Sequence, residues 1–170
     1  MSEGWQRDKA WSDNFLPEIK SILGRHLIGE APEVEDQQRN TDLIVLRMEA
    51  VRIGCRVRSF DYWLRYPDEF TVRAGRPSGV DTELAKIVSG WGDYFFYGFA
   101  DRQSQSLHAW TLGSLHVFRL WHSRQLARGL RPWATQNNVD GSSSFCAFRV
   151  NLLPADFVVA RHSPNMSEAA

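Results

Sequence analysis

Four arginines are spaced so that they could hold an anion. Arg52, Arg56 and Arg58 fall between Val51, Ile53, Cys55 and Val57. A strand has a side-chain period of two, so the two sets point to opposite faces. The apolar set is expected to face the core. Arg73 closes the run Phe70 to Arg73, where Phe70 and Val72 share one face and Thr71 and Arg73 the other. A planar guanidinium grips phosphate through paired N–H donors. Four such groups on neighbouring strands repel one another unless something anionic lies among them. The competing reading is a solvated sheet face paired with Glu49, Asp68 or Glu69.

Composition sharpens this choice without deciding it. Lysine occurs only at Lys9, Lys20 and Lys86, and every other basic residue is arginine. Genomic base composition alone would give such a skew. The formal net charge is +0, so no global field recruits polyanions. Attraction to phosphate has to come from a local patch.

Other chemistry-bearing residues read as structural. Glu83 and Lys86 stand one helical turn apart, the spacing of a surface ion pair. The segment Trp91 to Gly98 is densely aromatic and suits core packing. It becomes a base-stacking platform only if Tyr94 or Tyr97 faces solvent. His108, His116 and His122 have no partner at a zinc-binding spacing. Cys55 and Cys146 lie in apolar runs and read as buried thiols, with no disulfide or zinc framework. Asn138 to Ser144 lacks the periodic acids of an EF-hand and the glycines of a P-loop, so a hairpin or Ω loop is expected. Tyr62, Trp63, Tyr66 and Trp133 offer aromatic anchors for a partner protein or a second copy of the chain.

The elements that must position these residues follow from periodicity. Asp13 or Ser12 caps a helix carrying Phe15, Ile19, Ile22, Leu23, His26 and Leu27 on one face, ending at Gly29. Residues 30–40 are acidic and aperiodic, a loop. Leu43 to Met48 and Val51 to Arg58 are strands, and the short Glu49-Ala50 join predicts an antiparallel hairpin. Ser59 to Asp68 is an aromatic excursion, and Phe70 to Arg73 a third strand. Asp81 or Thr82 opens a second helix through Leu84, Ile87 and Val88. Tyr94 to Ala100 and Leu107 to Leu112 are strands, Leu115 to Leu126 a helix, Pro132 to Ser143 a polar loop, and Phe145 to Val150 a strand. Residues 1–10 and 163–170 are expected to fray.

The chain of 170 residues, 43% hydrophobic and 24% charged, therefore reads as one α/β domain. The expected core is α-β-β-β-α-β, a mixed central sheet flanked by helices, with a helix and a strand added C-terminally. Met1 to Asp13 is polar, and no apolar run approaches the roughly 20 residues that span a bilayer. A cytoplasmic protein with no membrane association is expected.

That element order, with Thr41-Asp42-Leu43-Ile44-Val45, resembles the PD-(D/E)XK nuclease-like superfamily over roughly Phe15 to Ala100. The resemblance implies a Mg²⁺-dependent phosphodiesterase acting on nucleic acid. It places Asp42 as the first metal carboxylate and Glu18 as the helix glutamate. The family's acidic-x-lysine motif would fall on Arg56-Val57-Arg58 or on Thr71-Val72-Arg73. Neither supplies the acid or the lysine. Arginine is a poor general base near neutral pH, but it can bind phosphate. Glu69, Glu83 or Asp93 would have to replace the missing carboxylate, and Lys86 the missing lysine. Glu69 joins Asp42 and Glu18 in the expected metal set, and Asp42, Glu18, Glu83 and Lys86 form the expected catalytic set. The alternative is an inactive relative that binds nucleic acid through Arg52, Arg56, Arg58 and Arg73, or a protein-interaction module.

Overall fold

A computed structural model of the chain describes residues 7, 10–30, 43–45, 51–76, 79, 81–138 and 141–164. The elements follow the sequence periodicities closely. Helix α1 spans Leu16–Leu27 and buries Phe15, Ile19 and Ile22 along one side. Pro17 sits in its first turn, where no intrahelical N–H is required. The chain passes directly into strand β1 (Ile28–Glu30), which pairs antiparallel with β2 (Leu43–Val45). Strand β3 spans Ile53–Arg58, helix α2 Phe60–Arg65 and strand β4 Glu69–Gly75. Helix α3 (Glu83–Val88) is capped by Thr82, whose hydroxyl accepts from the Ala85 N–H. Strands β5 (Tyr94–Ala100) and β6 (Leu107–Ser114) form a hairpin, followed by helix α4 (Leu115–Ala127). Strands β7 (Ala134–Asn137) and β8 (Ser144–Arg149) form a second hairpin, and β9 spans Val158–His162.

The architecture is mixed α/β. A four-stranded mixed sheet runs in the order β3-β5-β6-β9, and a three-stranded antiparallel sheet in the order β4-β8-β7. Strand β5 explains the first sheet. Phe95 to Ala100 are buried whichever face they point to, so β5 must be covered on both sides and paired on both edges. Its hairpin partner β6 fills one edge and β3 the other, in parallel. A parallel pair needs a long crossover, which α2, β4 and α3 supply between them.

One side of this sheet packs on α1 through Phe15, Ile19, Ile22, Val57, Phe96 and Leu112. The opposite side packs on the second sheet and on α2 to α4, around Trp63, Phe70, Tyr97, Phe118, Phe148 and Phe157.

Several expectations are corrected. Strand β2 pairs with β1 rather than forming a hairpin with β3. The three consecutive strands of the expected α-β-β-β-α-β core are divided among three sheets. The expected loop Pro132 to Ser143 contains β7, whose four residues are all exposed and so carry no apolar alternation. Ser59 to Asp68 is mostly helical. Gly29 lies inside β1 rather than ending the helix. Residues 31–42, 46–50 and 165–170 lie outside the described part, and with them Asp42 and the expected acidic loop. Among the described residues no helix is long and apolar enough to cross a membrane.

Candidate functional site

Strand β3 is the edge of its sheet, and this decides what its residues can do. Its parity holds for Val57 and Ile53, which pack toward α1, while Arg56 and Arg58 turn to the other side; Val51, expected in the core, is exposed. Cys55, expected in the core, is exposed.

Arg56 meets an edge of β4 that no described strand pairs. Its Nη1 donates to the Thr71 carbonyl at 3.1 Å, and its Nη2 to Glu83 Oε2 at 2.5 Å. The same Glu83 oxygen accepts the Arg73 backbone N–H at 3.1 Å. A C=O and an N–H two residues apart on one edge are what a neighbouring strand would satisfy. Arg56 and Glu83 therefore stand in for that missing strand and close the edge to other chains.

Arg58 serves a different structural purpose. Its Nη2 donates to Thr71 Oγ1 at 2.8 Å, and its Nε to Tyr97 Oη at 3.3 Å. These two hydroxyls lie 3.2 Å apart in the core, where an unpartnered hydroxyl would be costly. The Arg58 guanidinium also stacks 5.1 Å from the Tyr62 ring centre.

Arg73 is different again. Among the described residues its guanidinium has no acceptor; only its backbone N–H is engaged by Glu83. Burial lowers its pKa, and the charges of Arg76, Arg56 and Arg58 lower it further against the pull of Glu83. It remains a cation, since arginine keeps its proton in proteins.

Arg56, Arg58 and Arg73 converge on one open cleft of about 500 Å³. Its remaining walls are Ser12 and Asp13 before α1, Cys55 and Val57 on β3, and Asn138, Ser143 and Phe145 at the end of the β7–β8 hairpin. Asn138 Nδ2 donates to Ser143 Oγ at 2.7 Å, fixing both neutral donors at the rim. Sequence reading missed Asn138 and Ser143, because nothing local ties a polar loop to a strand some eighty residues earlier.

The described members of the expected carboxylate set do not assemble with one another. Glu18 Oε2 accepts the Leu107 N–H at 2.9 Å, pinning α1 to the start of β6. Glu69 pairs with Arg149 at 3.2 Å, joining the ends of β4 and β8. Glu83 pairs with Arg56 instead of Lys86, which is exposed on α3. Asp93 Oδ2 accepts the Arg52 backbone N–H at 2.7 Å. Among the described residues no three His, Cys, Asp or Glu side chains come together. Mg²⁺ asks for several converging oxygens, and Asp42, the first of the expected ligands, lies outside the described residues.

Other expectations resolve differently. Trp63 is 1% exposed and belongs to the core, so it is no docking anchor. Tyr97 is buried and Tyr94 half-buried, so neither ring offers a stacking platform. His122 is buried between Phe118 and Trp133, at ring distances of 5.7 and 4.8 Å. His108 packs on Phe60 and Trp63, and His116 is exposed.

No family model, curated protein or solved structure matches the chain. The site is therefore read from its own chemistry.

Proposed function

We propose that this protein binds the phosphodiester backbone of nucleic acid in the cleft lined by Arg56, Arg58 and Arg73. One observation carries the reading. Three guanidiniums line a single cleft, and the one without an acceptor among the described residues, Arg73, sits in the field of the other two. A phosphate would give Arg73 its missing acceptor and relieve that repulsion. Asn138 and Ser143 would add neutral donors. Arg56 and Arg58 already direct two N–H groups each to protein acceptors, so they would add field and their remaining N–H groups to what Arg73 supplies. The formal net charge of +0 makes this a local attraction, weak in high salt.

Cys55 lines the same cleft and makes the test direct. An oligonucleotide in the cleft slows alkylation of Cys55, while buried Cys146 does not react in the native protein. Arg73→Ala weakens binding of every sequence alike and lowers the salt slope by about one. If no oligonucleotide binds at low salt, and none slows Cys55 alkylation, the reading is wrong.

Hydrolysis would be a further step requiring a carboxylate set that the described residues do not bring together. The nuclease-like reading is tested by incubating labelled DNA and RNA with Mg²⁺ or Mn²⁺, with Asp42→Ala as the control. Cleavage lost in that variant identifies a nuclease, and binding without cleavage identifies a binding protein.

A further inference from the structure

The face that carries Arg56 continues along β3 to Arg52, which lies just before the strand. Its carbonyl accepts the N–H groups of Asp93 and Tyr94, which extends the β3–β5 pairing by one step. The Arg52 guanidinium lies 5.8 Å from the ring centre of Trp91.

Trp91 is the most exposed large hydrophobic side chain among the described residues, at 63%. An indole left largely in water is unfavourable in proportion to the apolar area it exposes, so its position asks for a reason. The backbone holds it there. Gly90 and Gly92 on either side have φ of 98° and 80°, values that side-chain-bearing residues rarely adopt. The Trp91 N–H donates to the Lys86 carbonyl at 3.0 Å, closing the end of α3. The Gly92 carbonyl accepts from Arg119 Nη1 at 3.0 Å. The ring is thus displayed on a clamped turn, not on a loose loop.

Position and charge suggest what it meets. Arg52 and Arg56 are four residues apart along this extended run, or about 13 Å. Arg52 brings its guanidinium to the turn, where one oxygen of the Asp93 carboxylate accepts the Arg52 backbone N–H. An aromatic face beside a basic track is the pattern that binds unpaired nucleic acid: phosphates follow the charge and a base stacks on the ring. A duplex keeps its bases stacked on one another and offers the ring nothing.

We propose that Trp91 is a stacking platform for an unpaired base, and that the nucleic acid held by the arginine cleft is single-stranded. This rests on the reading of the cleft as a phosphate site, and it adds the form of the ligand.

Fluorescence anisotropy with a labelled oligothymidylate of about a dozen nucleotides, its abasic counterpart and a duplex of equal length provides the test. The expected order of affinity is oligothymidylate above abasic strand and duplex. Trp91→Ala weakens oligothymidylate binding about tenfold and leaves the abasic strand unaffected, while Trp91→Phe retains most of the affinity. Arg73→Ala weakens both strands. Circular dichroism confirms the fold of each variant, and Trp91 is exposed enough for truncation to be tolerated. If Trp91→Ala changes nothing while Arg73→Ala weakens both strands, the stacking inference is wrong and the phosphate reading stands. Equal loss on the abasic and base-bearing strands also overturns it. If the native protein binds neither strand, both readings fall together.

Discussion

Arg56 and Arg73 have the same side chain and line the same cleft, yet the structure gives them opposite tasks. Arg56 shares Glu83 Oε2 with the Arg73 backbone N–H and also reaches the Thr71 carbonyl. Removing Glu83 would leave a charged donor and a backbone N–H unsatisfied in a half-buried place. Glu83→Ala is expected to lower stability by about 1–3 kcal/mol, read from the urea midpoint. Glu83→Gln keeps an acceptor oxygen and should lose less. Glu69 is a useful contrast. Its partner Arg149 is 66% exposed, and such pairs contribute at most about 1 kcal/mol. Arg73→Ala should reverse the pattern, with stability nearly unchanged and binding weakened. A Glu83→Ala protein as stable as the parent would refute the edge-closing role. The sequence spacing drew attention to Glu83 and Lys86 as a pair. It could not show that Glu83 turns back to β3 and β4, because that depends on where α3 lands.

At the scale of the elements, two glycines measure how tightly the layers fit. A Cβ at Gly113 on β6 would overlap the ring of Phe157, itself 2% exposed. The missing side chain lets the turn before β9 lie against the sheet. Gly113→Ala is expected to destabilise by about 1–3 kcal/mol through overpacking. A methyl group at Gly24 in α1 would meet nothing within 4 Å. Gly24→Ala should therefore stabilise by about 0.5–1 kcal/mol, through helix propensity alone. Opposite signs in parallel denaturation curves are the check, and equal effects would mean that β6 and α1 pack otherwise. Strand and helix ranges were legible because α1 carries strong periodicity, β5 is a continuous apolar run and α3 carries its cap. Strand β7 was not, since an exposed edge strand of Ala, Thr, Gln and Asn has no apolar rhythm to read.

For the whole molecule, pH acts through two histidines, buried His122 and half-buried His108. Burial, then the charge of Arg131, pushes His122 below the ordinary 6.5. Burial, then His162, does the same for His108. Among the described residues His122 Nδ1 has no hydrogen-bond partner, so nothing there compensates a charge. With the folded pKa depressed, the unfolded chain takes up protons first as pH falls. The histidine contribution is complete above the unfolded value of about 6.5 and is lost progressively below it. The urea midpoint should be lower at about pH 5.5 than at about pH 7.5. His122→Phe should flatten part of that slope, and a slope unchanged in that variant would place the titration elsewhere. Taken by itself, the sequence determined the α/β class, most element ranges and the arginine face of β3, because periodicity and caps are local properties of the chain. Only the tertiary structure decided which strands are neighbours and which arginine lacks an acceptor among the described residues. Burial pattern states that a strand needs partners without naming them, and the acceptors of Arg56 and Arg58 arrive from β4, β5 and α3. The arginine stripe is legible as a line of letters; its division into edge closure, core bridge and cleft cation exists only once those elements meet.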